Sequence, residues 1–342
     1  FKIDKQRKVR AMPYPHAIRL RGPWQLEPLR RYLTAADGSV VESQEDLPPP
    51  CRTTVPSDWG DVLGRDFRGR ARYRRSFQSP PPLDPHERVW LVVEGVDAQG
   101  AVALNGRLLG EIPGYALGRS FDVTSLLSSR NQLAIEVDLP PMDAANGPLR
   151  PGRELRPGGP IGAVRLEIRS LWYVCDLGIW STAVDSGFVA AGRIAGEPSD
   201  ARIAIVISGC QRELAYIELQ SGESFEIPFE ADDFATWTAD RPVLAPIEVK
   251  LLGGSSSVWQ SDLQTALRGK VANRSAQKRD EILADAAYTE FDRKGIPVIQ
   301  QVPSAWAGEV CRRLAYHPSI IAWSAAPKEA SPAALLYGRA WV

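Results

Sequence analysis

Four cysteines and three histidines in 342 residues leave little from which to build a metal centre. Cys51, Cys175, Cys210 and Cys311 lie far apart and form no CxxC pair, so no zinc-type cluster can be read from spacing, and neither a metal nor a cofactor is expected. Buried thiols are the ordinary use of such cysteines; one long-range disulfide in an exported protein is the alternative. No apolar run approaches the roughly 20 residues that cross a bilayer, so a soluble chain without membrane contact is expected. Charge of one sign is also missing: 41 basic residues balance 41 acidic ones. The chain therefore carries no overall field to draw it onto nucleic acid, which is not expected as a partner. No signal peptide is visible, but the chain opens on Phe1 rather than methionine, so a preceding piece that carried a signal is conceivable and the compartment stays open.

What is present is an ordinary globular composition, 44% apolar and 24% charged, on a chain long enough for two or three domains. From Trp24 to about Asp138 short runs rich in Val, Leu and aromatics alternate with Gly, Pro, Asn and Asp. ARYRRSF (Ala71 to Phe77), RVWLVVEGV (Arg88 to Val96), AVALNGRLLGEI (Ala101 to Ile112) and NQLAIEVDL (Asn131 to Leu139) read as strands. Asn105-Gly106 supplies the two residues that most readily take the positive φ of a tight hairpin. A β-sandwich follows, with one helical turn at Asp122 to Leu127 that Asp122 or Thr124 is placed to cap.

Prolines and glycines crowd Pro140 to Pro160, where fixed φ and missing amide donors predict a long connecting loop. AVRLEI (Ala163 to Ile168), FVAAGRIAG, ARIAIVIS, AYIEL, SFEIPF and PIEVKLL then recur at the spacing of a second antiparallel sandwich of immunoglobulin size, closed by VWQSDLQTAL after the turn at Gly253 to Ser257. Beyond Arg268 the texture changes. Gln277 to Gly295 carries apolar residues near helical spacing with Gly295 placed to end it. Ile296 to Val302 reads as a strand, Ser304 to Leu314 as a helix, Ser319 to Ala325 as a strand and Pro332 to Tyr337 as a short helix. Strand alternating with helix implies parallel pairing, but two strands do not close a barrel.

GPWQ (Gly22 to Gln25), VPSDWG (Val55 to Gly60), YRRSF (Tyr73 to Phe77), VALNGRLLGE (Val102 to Glu111), FDVTSLL (Phe121 to Leu127) and NQLAIEV (Asn131 to Val137), in this order, resemble the sugar-binding jelly roll of glycoside hydrolase family 2. That family contains β-galactosidases, β-glucuronidases and β-mannosidases. GGPIGAVRLEI (Gly158 to Ile168) and FATWTADRPVLAPIEVKLL (Phe234 to Leu252) resemble the entry to its immunoglobulin-like domain and that domain's closing segment. Ala287 to Gln301 and Arg312 to Glu329 are similar to pieces of its TIM barrel. The resemblance implies a mostly β chain: a jelly-roll sandwich over 1–145, an immunoglobulin-like sandwich over 146–268, and an incomplete α/β barrel remnant over 269–342.

The family's barrel has an Asn-Glu pair after its tryptophan strand, the glutamate being the general acid/base. Here that position reads Pro327-Lys328. Retaining glycosidases need two carboxyl groups about 5 to 5.5 Å apart, and a lysine cannot protonate a leaving oxygen as a carboxylic acid does. Glu329 substitutes only if a bulge turns it to the other face. The second glutamate, the nucleophile, lies on a later strand in the family, and the chain ends before it, so both catalytic positions are expected to be lost and no catalytic residue is assigned.

Of ten tryptophans, core packing is the ordinary role. Trp59, after Ser57-Asp58 in a polar turn, is the one expected near the surface, where an indole face stacks on a sugar. His317 is expected to be structural. Arg70, Arg72 and Arg74 are expected to share a solvated sheet face opposite Ala71, Tyr73 and Arg75, and Asn273-Arg274-Ser275 fits a glycosylation sequon. The expected function is carbohydrate binding or a scaffold role without hydrolysis. The alternatives are an active exo-acting β-glycosidase, if the chain is a fragment of a longer protein, and an interaction module without sugar affinity. An unpaired edge in the parallel sheet is expected to favour a homo-oligomer or a partner protein.

Overall fold

The computed structural model describes residues 14–114, 117–141, 157–182, 187–196, 203–209, 212–219, 223–253, 256–269, 276–280, 282–283, 285–303, 306–325, 337 and 339–341. The first unit contains β1 (His16–Arg19), β2 (Trp24–Thr34), β3 (Val40–Ser43), β4 (Cys51–Thr53), a one-turn helix α1 (Gly60–Leu63), β5 (Gly69–Gln78), β6 (Glu87–Val93), β7 (Gln99–Leu104), β8 (Arg107–Ile112), β9 (Arg119–Asp122), β10 (Arg130–Leu139) and β11 (Val164–Ser170). They form two antiparallel sheets, one in the order β1-β11-β6-β9 and one in the order β3-β2-β5-β10-β7-β8, with β4 also paired to β2. Alternation makes the sandwich. Leu133, Ile135, Val137 and Leu139 of β10 and Ala71 and Tyr73 of β5 are buried between the sheets, while the intervening polar side chains face outward. Asn105 (φ 52°) and Gly106 (φ 81°) make the expected hairpin between β7 and β8, and the Asn105 carboxamide accepts from Gln132 N–H at 2.8 Å. A single 3₁₀ turn covers Thr124–Leu126, but its N-cap residue is Val123 rather than Asp122 or Thr124, and it has no side-chain cap; Asp122 instead accepts from the Thr124 N–H at 2.9 Å just ahead of the turn.

One strand changes owner. Ala163 to Ile168 was expected to open the second sandwich, but β11 lies between β1 and β6 in the first, with Leu166 opposite both Ile18 and Leu91. The first sandwich therefore runs to Ser170, past the expected boundary at 145, because burial of Val164 and Leu166 against its core outweighs sequence proximity to the strands that follow. Most of the connecting loop expected before it lies outside the described residues.

The second unit has β12 (Trp172–Ser181), β13 (Gly187–Gly196), β14 (Ile203–Gly209), β15 (Arg212–Leu219), β16 (Ser224–Glu230), β17 (Thr236–Trp237), β18 (Ala245–Gly253), β19 (Ser256–Thr265) and β20 (Leu267–Arg268). Sheets β12-β13-β16 and β15-β14-β18-β19 enclose Phe188, Ile205, Phe225, Phe229 and Val249, the seven-stranded count of an immunoglobulin-like sandwich. A short parallel pair, β17 with β20, leads to the third unit.

That unit is a parallel sheet in the order β21 (Gln277–Arg279), β22 (Val298–Val302), β23 (Ile320–Ala325) and β24 (Ala340–Trp341), with helices α2 (Asp285–Lys294) and α3 (Ala307–Leu314) between strands. Two corrections follow. Four strands are paired where two were expected, and Gln277–Arg279 is not the start of a helix but a strand beside Val298–Gln300, leaving α2 to begin at Asp285. Gly295 does end that helix, at φ +66°. A Cβ there would lie 2.2 Å from the Ala239 carbonyl, so the helix end is also where the third unit meets the second. Trp237 completes the junction: its indole N–H donates to the Asp292 carbonyl at 2.7 Å, and its ring packs with Ile299 and Ile321. The expected helix at Pro332 to Tyr337 and the sequon at Asn273 fall on or run into residues outside the description. Among the described residues no helix is long and apolar enough to cross a membrane.

Cys51, Cys175 and Cys311 are free thiols, and Cys210 lies outside the described residues. Burial pushes all three thiols up, Cys311 most strongly. In the native protein at pH 8, iodoacetamide is expected to leave Cys311 unlabelled until denaturant is added, as read by peptide mass spectrometry; native labelling of Cys311 at the rate of a free thiol would contradict its burial.

Candidate functional site

Strand alternation places one set of side chains from β2, β4, β5, β10, β7 and β8 on the outer face of the larger sheet of the first sandwich. Register turns them into rows. Arg52, Gln25, Arg74, Ala134 and Ala103 are cross-strand neighbours in one row; Glu27, Arg72, Glu136, Ala101 and Glu111 form the next; Arg70, Asp138 and Gln99 form a third. The expectation that Arg70, Arg72 and Arg74 share a face opposite buried Ala71 and Tyr73 holds.

The arginines do not form a bare basic stripe. Arg72 reaches Glu136 at 2.6 Å, Arg70 reaches Asp138 at 2.9 Å, and Arg74 lies 3.2 Å from Glu27. Tyr32 donates to Asp138 at 2.8 Å, and desolvation together with that acceptor pushes its phenol up to about 12. The hydrogen bond to Asp138 likewise raises the pKa of Arg70. These carboxylates sit opposite arginines because β10 alternates in antiparallel register with β5. The signal was present in the sequence as Glu136 and Asp138 two apart, but only the pairing says that they meet the arginines.

Small residues keep parts of this face low. Ala101 floors a recess of about 290 Å³ bounded by Arg70, Gln99, Glu111, Glu136 and Asp138. A larger recess of about 600 Å³ opens at the other end, between Gln25, Arg52, Arg74, Arg75 and Gln132. Planar guanidinium groups, carboxylates and carboxamides fixed by mutual contacts present donors and acceptors in set directions, the pattern that reads hydroxyl groups on a ligand. No group of three or more potential metal ligands occurs among the described residues.

The residues singled out from sequence fall elsewhere. Trp59 is not near the surface: its side chain has no exposed area, with Phe67 edge-on at 5.6 Å. A Cβ on Gly158 would sit 2.6 Å from the indole, so the returning 158–159 segment covers the ring that the local polar turn was expected to expose. His317 is buried as expected for a structural histidine, but it has the carboxylate partner that sequence did not show. Its Nδ1 donates to Asp292 at 2.6 Å, both groups being almost wholly buried. Lys328 and Glu329 lie outside the described residues, following β23.

Two stacked β-sandwiches followed by a parallel α/β sheet, the first sandwich bearing a polar recessed face, are the architecture of a galactose-binding-like jelly roll mounted on an immunoglobulin-like domain. Residues 67–166 match the family described as the glycosyl hydrolase 2 galactose-binding domain-like family, a span that ends inside β11. The chain shares its fold with a calcium-binding mutant of β-glucuronidase 2 from Bacteroides uniformis, at 19% identity and a TM-score of 0.66 over 91% of this chain and 47% of that one. It is similar also to an FMN-binding β-glucuronidase from Facaelibacterium prausnitzii L2-6, at 17% identity and a TM-score of 0.67 over 92% and 58%. A putative β-galactosidase from Bacteroides fragilis gives 14% identity and a TM-score of 0.68 over 92% and 59%. No curated protein matches the sequence. The likeness to glycoside hydrolase family 2 thus holds in both sequence and fold, and the chain spans about half the length of the solved structures it matches.

Proposed function

We propose that this chain binds carbohydrate on the outer face of its first sandwich and does not itself hydrolyse glycosides. The observation that carries the binding half is the face just described, where Arg70 and Arg72 are held by Asp138 and Glu136 beside a recess floored by alanine. Side chains already fixed by their partners lose little further freedom when they hydrogen-bond a polyol, so the ordering cost is low. The half that denies hydrolysis is supported by Lys328. Strand β23 pairs parallel to β22 as the family resemblance requires, and the acid/base position that follows such a strand carries an ammonium here, which would add positive charge beside an oxocarbenium-like transition state.

A second reading, a working β-glycosidase, has one observation in its favour: β21 to β24 pair parallel in chain order, which is the order of barrel strands. The same experiment separates the two. The purified chain is assayed against aryl β-galactoside, β-glucuronide, β-mannoside and β-glucoside, and titrated with the corresponding β-linked oligosaccharides by calorimetry. Saturable binding without turnover is expected, weakened about five- to tenfold in Arg72→Ala, which removes a fixed donor and leaves Glu136 without its partner. Turnover abolished by Glu329→Gln would overturn the reading and make Glu329 the acid/base, since such assistance is worth about 10² to 10⁴ in rate.

A further inference from the structure

Within the outer face the arginines are not equivalent. Arg70 and Arg72 each have a carboxylate within 3 Å, and Arg30 is paired with Glu42. Arg52 and Arg75, which line the 600 Å³ recess, have no ion-pair partner among the described residues. Arg74, the third arginine of that recess, has only Glu27 at 3.2 Å, a carboxylate it shares with Arg72 at 3.8 Å and which is not itself part of the recess wall. No acidic residue lines the recess; its other polar side chains are Gln25, Ser76 and Gln132, which supply donors without charge.

The position of Arg75 sharpens the imbalance. It lies within β5 opposite Leu133, on the other side of the strand from Arg74, its guanidinium carbon 6.0 Å from the Trp24 ring and its Nη1 donating weakly to the Pro23 carbonyl at 3.3 Å. Its Nε is buried with no acceptor. A guanidinium taken partly out of water with one long hydrogen bond is under-compensated, and burial accordingly lowers its pKa. In a chain whose formal charges cancel, Arg52 and Arg74 from the outer face and Arg75 from the other side of β5 converge on one acid-free recess, a local departure that strand pairing elsewhere on the outer face avoids.

We propose that this recess receives an anionic group carried by the glycan, a carboxylate or a sulfate ester, with Arg52 and Arg74 as its charged ligands and Gln25, Ser76 and Gln132 as neutral donors. The proposal rests on the carbohydrate-binding reading above and adds the charge class of the ligand. Bidentate pairing with an oxyanion is what a guanidinium fork offers and a hydroxyl group does not satisfy. The recess is one sheet row away from the alanine-floored depression at Glu136, so an oligosaccharide lying across the strands presents its anionic unit at one end and neutral hydroxyls at the other.

Three β-linked oligosaccharides of equal length are titrated into the full chain by calorimetry: a neutral one, one with a terminal uronate and one with a terminal sulfate ester. Both acidic ligands are expected to bind about tenfold more tightly than the neutral one, with an advantage that shrinks as salt is raised. Arg52 is exposed and its replacement leaves the fold alone, so Arg52→Gln, which keeps a neutral donor at that position, is expected to remove most of that advantage and to weaken neutral binding by much less. Arg52→Glu should reverse it. A preference for the sulfate over the uronate, or the opposite, identifies the source of the charge. Equal binding of all three, or a preference unmoved by Arg52→Gln and Arg74→Gln, overturns the anionic site while leaving carbohydrate binding intact; failure of every ligand overturns both.

Discussion

Replacement of Arg339 by methionine is expected to destabilise the third unit by about 3 to 5 kcal/mol. Arg339 is 1% exposed and precedes β24, where its guanidinium is spent entirely on backbone: Nε donates to Ile320 O at 2.5 Å, Nη1 to Tyr337 O at 2.9 Å, and Nη2 to Ala315 O at 2.6 Å and His317 O at 2.9 Å. Its guanidinium carbon lies 5.6 Å from the Trp323 ring. Burial, aided by the nearby Arg268 charge, pushes its pKa down, so holding the cation there costs free energy that the four carbonyls offset. Methionine keeps much of the volume and removes the charge, but it takes the Arg339 donors from the carbonyls of Ile320, Tyr337 and Ala315 and leaves His317 O with only the Ile320 N–H at 3.2 Å. The cost of those orphaned acceptors exceeds the relief of the desolvation penalty. Urea unfolding followed through hydrogen exchange in β23 measures it. A change below about 1 kcal/mol, the range of a surface substitution, would show that the carbonyls find other donors.

Asp292→Ala is expected to cost about 3 kcal/mol, for a related reason. Asp292 lies on α2 at 1% exposure and accepts from two groups outside its own helix: His317 Nδ1 at 2.6 Å and the Ser319 N–H at 2.9 Å. His317 Nε2 and the Ser319 hydroxyl already have no partner, so alanine would leave the imbalance of a buried imidazole with both nitrogens unpaired and an amide N–H with no acceptor. Asp292→Asn keeps the shape and one acceptor oxygen, and is expected to lose less than half as much. The comparison is informative because α2, the loop before β23 and Trp237 of the second unit all converge on this residue. If alanine and asparagine are equally mild, the carboxylate is a bystander and the apolar packing around Tyr288 and Leu314 holds the unit by itself. Melting followed by near-ultraviolet circular dichroism distinguishes the cases, since Tyr316 and Tyr288 lie against the His317 ring.

Much of the fold was legible because its signals are local. Alternation along Asn131 to Leu139 depends only on neighbouring residues, and it becomes β10 with every second side chain buried. Asn105-Gly106 marks its hairpin by φ preference alone, and Gly295 ends α2 for the same reason. The parallel strands β22 and β23 were readable as short apolar runs bounded by turns. Gln277–Arg279 was not. Three polar residues carry no periodicity, and they form a strand only because Val298 to Gln300 lies alongside with unpaired backbone groups.

For the site, residue types were visible and their company was not. The arginines at alternate positions of β5 identified one sheet face without knowledge of its partner strands. That Arg70 and Arg72 are neutralised while Arg52 and Arg75 are not depends on which strands pair and in what register. Trp59 shows the converse error: Ser57-Asp58 made its surroundings look wet, yet a segment about a hundred residues later folds over it.

By itself, then, the amino-acid order determined the strand-rich character, the two sandwiches, the turn positions and the alternation of polar and apolar faces, all of which follow from backbone preferences and from burial along one short segment. Only the tertiary structure decided that β11 returns to the first sandwich, that Trp59 is covered, that Asp292 supports His317, and that one recess gathers arginines without acids. Each of those depends on contacts between residues distant in the chain, where the free energy of burying a whole face selects one partner among several strands whose local patterns are equally suitable.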